Sequence, residues 1–82
     1  MRELKKYTVG LGIWCYSEDE CNNIYDTIKN EGFTIESIEI LKPIKGVIDK
    51  WAIHIRTTTE TKKEIKKKLK TLKVITDKER YF

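Results

Sequence analysis

Eighty-two residues suffice for one domain with one modest core. Charged residues make up 37% of the chain and hydrophobic ones 39%, a polar balance that still carries too many Ile, Leu, Val and aromatic residues for a disordered segment. No apolar run approaches the roughly 18 residues of a membrane span, and the opening Met-Arg-Glu-Leu-Lys-Lys has no apolar stretch behind it to make a secretory signal, so the expected compartment is cytoplasmic. The formal net charge of +4 is unevenly spread: Glu18 to Glu39 holds seven acids against Lys29, whereas Thr59 to Lys73 holds seven lysines against Glu60 and Glu64. An acidic half beside a basic half is a weaker nucleic-acid signal than a uniformly basic chain.

The strongest strand signal is Tyr7–Tyr16. Tyr7, Val9, Leu11, Ile13 and Cys15 fall on one face at period two, and Thr8, Gly10, Gly12, Trp14 and Tyr16 on the other. Both faces of such a strand are in demand, which predicts a central place in a sheet. Ser17 and Glu20 then form a capping box, with Glu20 reaching back to the cap backbone. Glu18, Asp19 and Glu20 suit the positive end of a helix dipole. Cys21, Ile24 and Ile28 supply an inward stripe with Tyr25 beside it, and Gly32 supplies the terminating left-handed residue. The first helix is therefore expected over Glu18–Glu31.

Phe33–Leu41 reads as the second strand. Its apolar residues change parity between Ile35 and Ile38, so the strand either is apolar on both faces or bulges near Glu36–Ser37; the bulge, common at a sheet edge, is the favoured expectation. Lys42–Gly46 is a turn punctuated by Pro43 and Gly46. The third strand is expected over Val47–Thr57, with Trp51, Ile53 and Ile55 inward and Lys50, Ala52, His54 and Arg56 outward. Two capping boxes compete for the start of the second helix, Thr57 with Glu60 and Thr61 with Glu64. Ile65, Leu69 and Leu72 form its narrow apolar stripe. Val74–Phe82 is left as a short final strand.

The order β-α-β-β-α-β matches the ferredoxin-like split βαβ arrangement. The expected fold is α+β: a four-stranded antiparallel sheet in the order 4-1-3-2, with both helices on one face and residues 1–82 in a single domain. The open face would then present Trp14, Tyr16, Lys50, His54 and Arg56, with Trp14 and Tyr16 accessible beside His54 and Arg56. Aromatic and basic residues on central strands can stack bases and hold phosphates. In topology this layout resembles the RNA-recognition domain. Asp49–Thr57 departs from that family's third-strand motif in having neither glycine nor a second aromatic.

Other chemistry is thinly represented. Cys15 and Cys21, with His54, cannot complete a four-ligand zinc site without carboxylates or a second chain, and in the expected compartment the cysteines stay reduced. Acylphosphatases share the topology, but their anion loop is replaced here by Cys15-Tyr16-Ser17-Glu18-Asp19-Glu20, which would repel phosphate. No catalytic residue, metal or cofactor is expected. The leading expectation is a small non-enzymatic protein-binding module, whether an adaptor, a regulator or a phage-type inhibitor of a host defence enzyme. Its partner would be another protein or a second copy of itself. The candidate binding residues are the sheet-face set Trp14, Tyr16, Lys50, His54 and Arg56, with Lys62, Lys63, Lys66, Lys67 and Lys70 of the basic helix and Glu18, Asp19, Glu20 and Asp26 of the acidic one. The alternative is a single-stranded RNA or DNA binding domain that uses the open sheet face together with the lysine-rich helix.

Overall fold

The computed structural model describes residues 8–82, so the expected first residue of the first strand, Tyr7, lies outside it. The elements are β1 (Thr8–Cys15), α1 (Glu18–Asn30), β2 (Ile35–Leu41), β3 (Trp51–Thr58) and α2 (Thr59–Thr71), followed by a 3-10 turn at Lys78–Arg80. β3 is central in a three-stranded antiparallel sheet of order β1-β3-β2. Leu11 pairs with Ile55 and Ile13 with Ile53 on one side of it, and Ile38 pairs with Ile55 and Ile40 with Ile53 on the other.

The expected four-stranded sheet of order 4-1-3-2 is not formed, and β1 is not a central strand. Residues 74–82 run out of the end of α2 instead of building a fourth strand. Val74 and Ile75 both donate their backbone N–H groups to the Leu69 carbonyl, at 2.9 and 3.2 Å, so their donors are spent on ending the helix. Asp77 then turns the chain, its Oδ1 accepting from the Glu79 N–H at 2.9 Å, in the manner of residues that compete locally for backbone groups. What remains of the fourth strand is a short bridge on the edge of β1 away from β3, where Gly12 and Phe82 exchange both backbone hydrogen bonds at 2.9 Å and Ile13 lies opposite Tyr81.

The bulge expected near Glu36–Ser37 is present. Ile35 pairs with Thr57 and Ser37 with Arg56, which leaves Glu36 as the extra residue. That insertion puts Ile35, Ile38 and Ile40 on the same face despite their mixed parity. β3 begins four residues later than expected. Residues 44–48 close instead into a loop, in which Ile44 and Ile48 exchange hydrogen bonds of 2.8 and 3.0 Å around Gly46 at φ 82°. Val47 is consequently 73% exposed rather than a strand residue.

Both helices lie on the face carrying Leu11, Ile13, Ile53 and Ile55. The core joins these to Cys15, to Cys21, Ile24 and Ile28 of α1, to Ile65 and Leu69 of α2, and to Ile75. Burying one such aliphatic side chain contributes roughly 1.5–3 kcal/mol. Ser17 caps α1 by accepting from the Glu20 N–H at 3.2 Å. Glu20 reaches back one residue further than expected, to the Tyr16 N–H at 2.7 Å. Neither expected capping box starts α2. Thr57 is buried, and its hydroxyl donates to the Thr34 carbonyl at 2.6 Å, so Thr58 takes the cap and accepts from the Thr61 N–H at 3.2 Å. At the other end Leu72 caps the helix and is 45% exposed, which removes it from the expected apolar stripe.

Candidate interaction face

Among the described residues, no helix covers the opposite face of the sheet. By strand alternation, β1 presents Gly10, Gly12 and Trp14 there, and β3 presents Ala52, His54 and Arg56. β2 adds Ser37, Glu39 and Leu41. The registers set these out in rows: Trp14, Ala52 and Leu41 lie side by side, then Gly12, His54 and Glu39, then Gly10, Arg56 and Ser37. Ala52 is fully buried between its two larger neighbours.

The glycines of β1 are explained by what lies above them. A Cβ on Gly10 would sit 3.2 Å from His54 Nε2, and a Cβ on Gly12 would clash with the Cε2 and Cζ carbons of the Phe82 ring. Phe82 therefore occupies the space that any side chain at position 12 would fill. Its ring stacks on Trp14 with centroids 4.2 Å apart and planes 25° apart, an offset geometry that aromatic quadrupoles favour. The Lys50 ammonium lies 5.7 Å from the Trp14 ring centroid, within cation–π range.

Of the five residues expected on this face, Trp14, His54 and Arg56 are on it and Lys50 overhangs it. Tyr16 is not beside His54. It lies past the end of β1, 75% exposed, with the Arg80 guanidinium 4.1 Å from its ring centroid. Arg80 is the organiser of that corner: it donates to the Trp14 carbonyl and pairs with Glu20. Glu20 is thereby occupied within the fold, whereas Glu18, Asp19 and Asp26 stay exposed on α1. Arg56 forms an exposed ion pair with Glu36 at 3.5 Å, and Glu39 flanks His54. The charge on the face is therefore mixed.

The lysines of α2 sit on the other side of the sheet, in the helix layer, and they diverge. Lys66 lies over the Tyr81 ring at 5.0 Å and lines a cleft with Lys70 and Lys78, while Lys67 lines a second one with Phe33 and Glu64. Lys62 is half-buried and Lys63 exposed. Lys68 reaches across to Glu31, the C-terminal cap of α1, at 3.5 Å. The basic and acidic helices are thus neighbours, and neither shares a surface with Trp14.

Phe82, Arg80 and Leu41 are the members of this region that sequence reasoning missed. The signal for Leu41 was its position three residues after Ile38, on the parity of Glu39. Phe82 and Arg80 lay in a segment with no usable period.

The cysteines are free and buried. Cys21 donates from Sγ to the Ala52 carbonyl at 3.5 Å. Burial, reinforced by its hydrogen bond to Cys21, pushes the Cys15 thiol up to about 12; burial also raises Cys21. Such thiols are poor nucleophiles. No group of three or more His, Cys, Asp or Glu side chains among the described residues is placed to hold a metal ion. No helix among them is long and apolar enough to cross a membrane. Compared with protein-family models, with curated proteins and with solved structures, the chain matches none.

Proposed function

We propose that this is a non-enzymatic protein-binding module that engages another macromolecule through the uncovered face of its sheet. One observation carries the reading: Trp14, Leu41 and Phe82 form a partly exposed apolar centre, rimmed by Lys50, His54 and Arg56 on one hand and Glu36 and Glu39 on the other. An aromatic centre inside a rim of both charges is the anatomy of protein interfaces. The exposed tip of the β2–β3 loop, with Ile44 54% accessible and Val47 beside it, extends the surface past the end of the sheet. An adaptor, a regulator or an inhibitor that blocks an enzyme would act in this way.

The alternative, single-stranded nucleic-acid binding, asks the sheet face and the lysine helix to work together, and they lie on opposite sides of the sheet. On the face itself, Arg56 is paired with Glu36, and one side of Trp14 is taken by Phe82. Affinity capture with wild-type bait and a Trp14→Ala bait, run beside an oligonucleotide titration, tests the choice. The proposed module loses its partner with Trp14→Ala and binds oligonucleotide weakly at physiological salt. Tight oligonucleotide binding that weakens steeply with salt, and that Trp14→Ala abolishes, would overturn it.

A further inference from the structure

We propose that two copies of the chain exchange residues 74–82, each seating its Phe82 on Gly12 and Trp14 of the other. The dock for this segment is already formed. Gly12 offers both backbone groups at the edge of β1 away from β3, and its missing side chain leaves a slot that the Phe82 ring fills. Trp14 stacks on that ring, and its carbonyl receives Arg80. Every one of these contacts is made between the segment and the body of the fold. None requires that segment and body belong to the same chain.

The connection between them is the strained point. α2 ends in a Schellman turn in which Lys73 donates to the Lys70 carbonyl at 3.0 Å and Val74 to the Leu69 carbonyl at 2.9 Å. The turn demands a left-handed residue, ordinarily glycine, and α1 meets the same demand with Gly32 at φ 75°. α2 meets it with Lys73 at φ 59°, the sole non-glycine residue with positive φ among the described residues. An L-residue with a Cβ is disfavoured there. Straightening the chain at Lys73 relieves that strain and carries the segment away from its own body. Strained hinges of this kind favour segment exchange. The segment meets the sheet at the outer edge of β1, through the Gly12–Phe82 hydrogen bonds and the Ile13–Tyr81 bridge, so its release leaves the β1–β3 and β3–β2 pairings in place.

The exchange is tested on the purified protein alone, so its outcome is separate from that of the partner-capture experiment. Samples are concentrated to millimolar, incubated, and sized by chromatography with light scattering. Isotope-filtered NMR on a mixture of labelled and unlabelled copies then asks whose Phe82 contacts Trp14. The wild type is expected to show a dimer with Phe82–Trp14 contacts between copies. Lys73→Gly, which removes the strain at both hinges, should weaken dimerisation about thirtyfold. A second test mixes a Gly12→Val copy, which cannot accept Phe82, with a Phe82→Ala copy, which cannot donate it. Heterodimers should form from this mixture where neither variant dimerises alone. A wild type that stays monomeric throughout, a dimer with Phe82–Trp14 contacts only within one copy, or a dimer that Lys73→Gly leaves unchanged would each overturn the proposal.

Discussion

The Arg80 guanidinium donates to the Trp14 carbonyl through both Nε, at 3.3 Å, and Nη2, at 3.1 Å. The same Nη2 pairs with Glu20, and the guanidinium plane lies against Tyr16. One side chain thus ties the last segment to the end of β1 and to the first turn of α1. Arg80 is nearly buried, so its bonds are charge-assisted and poorly screened.

Arg80→Ala should therefore destabilise the fold by about 1.5–3 kcal/mol, the range for hydrogen bonds to charged groups. Lys68→Ala, which breaks the half-exposed pair with Glu31, should cost less than about 1 kcal/mol. Urea unfolding of the two variants, followed by far-UV circular dichroism, gives both numbers. Equal costs would mean that Arg80 is not the anchor described.

Gly12→Ala should act through Phe82. The added Cβ clashes with the ring where it lies, so the ring must shift off its seat and the Trp14 stack is lost, at a cost of about 0.5–1.5 kcal/mol beyond lost burial. Phe82→Ala removes the same contact. The two changes should be strongly non-additive in a double-mutant cycle, whereas full additivity would show that Phe82 does not occupy that slot.

Tyr81 presents the opposite case. Its hydroxyl is buried without a hydrogen-bond partner among the described residues, and burial raises its pKa. Removing an unsatisfied polar group relieves its desolvation cost. Tyr81→Phe is expected to stabilise the protein by about 1 kcal/mol, read as a higher urea midpoint at unchanged slope. A loss of stability would reveal a partner for the hydroxyl.

The cysteines predict an alkaline limit. The Cys15 thiol is raised from 9.0 to about 12 in the fold, so between those values the unfolded chain loses a proton that the native state keeps. Stability is then full below pH 9 and falls as pH rises from there through about 12. Cys21 and Tyr81, both raised by burial, act in the same direction. Cys15→Ala should flatten this decline in thermal melts taken from pH 8 to pH 11. At pH 8 iodoacetamide should label neither thiol in the native protein and both in urea.

Much of this was legible in the sequence because local physics decided it. Period-two alternation placed Leu11, Ile13, Ile53 and Ile55 inward, and the parity break after Ile35 disclosed the bulge. Ser17 and Gly32 marked the ends of α1. Several errors share a cause: the residue's polar groups, or the space around it, are claimed by a partner that periodicity does not disclose. Thr57 fits a helix cap until its hydroxyl is taken by Thr34. Val74 and Ile75 fit a strand until Leu69 takes their N–H groups. Glycine at position 12 reads as a weak spot in a strand, and only the ring of Phe82, seventy residues away, explains it. The candidate face was half visible, since Trp14, His54 and Arg56 follow from alternation alone, while Phe82 and Arg80 reach it through tertiary contacts without periodicity.

The central claim, that the uncovered sheet face is the interaction surface, is tested most directly by hydroxyl-radical footprinting of the protein free and in complex with its captured partner. Trp14, Leu41 and Phe82 are expected to lose reactivity in the complex, while Lys63, Lys67 and Leu72 in the helix layer keep theirs. Protection confined to the helix layer, with Trp14 and Phe82 as reactive as in the free protein, would contradict it.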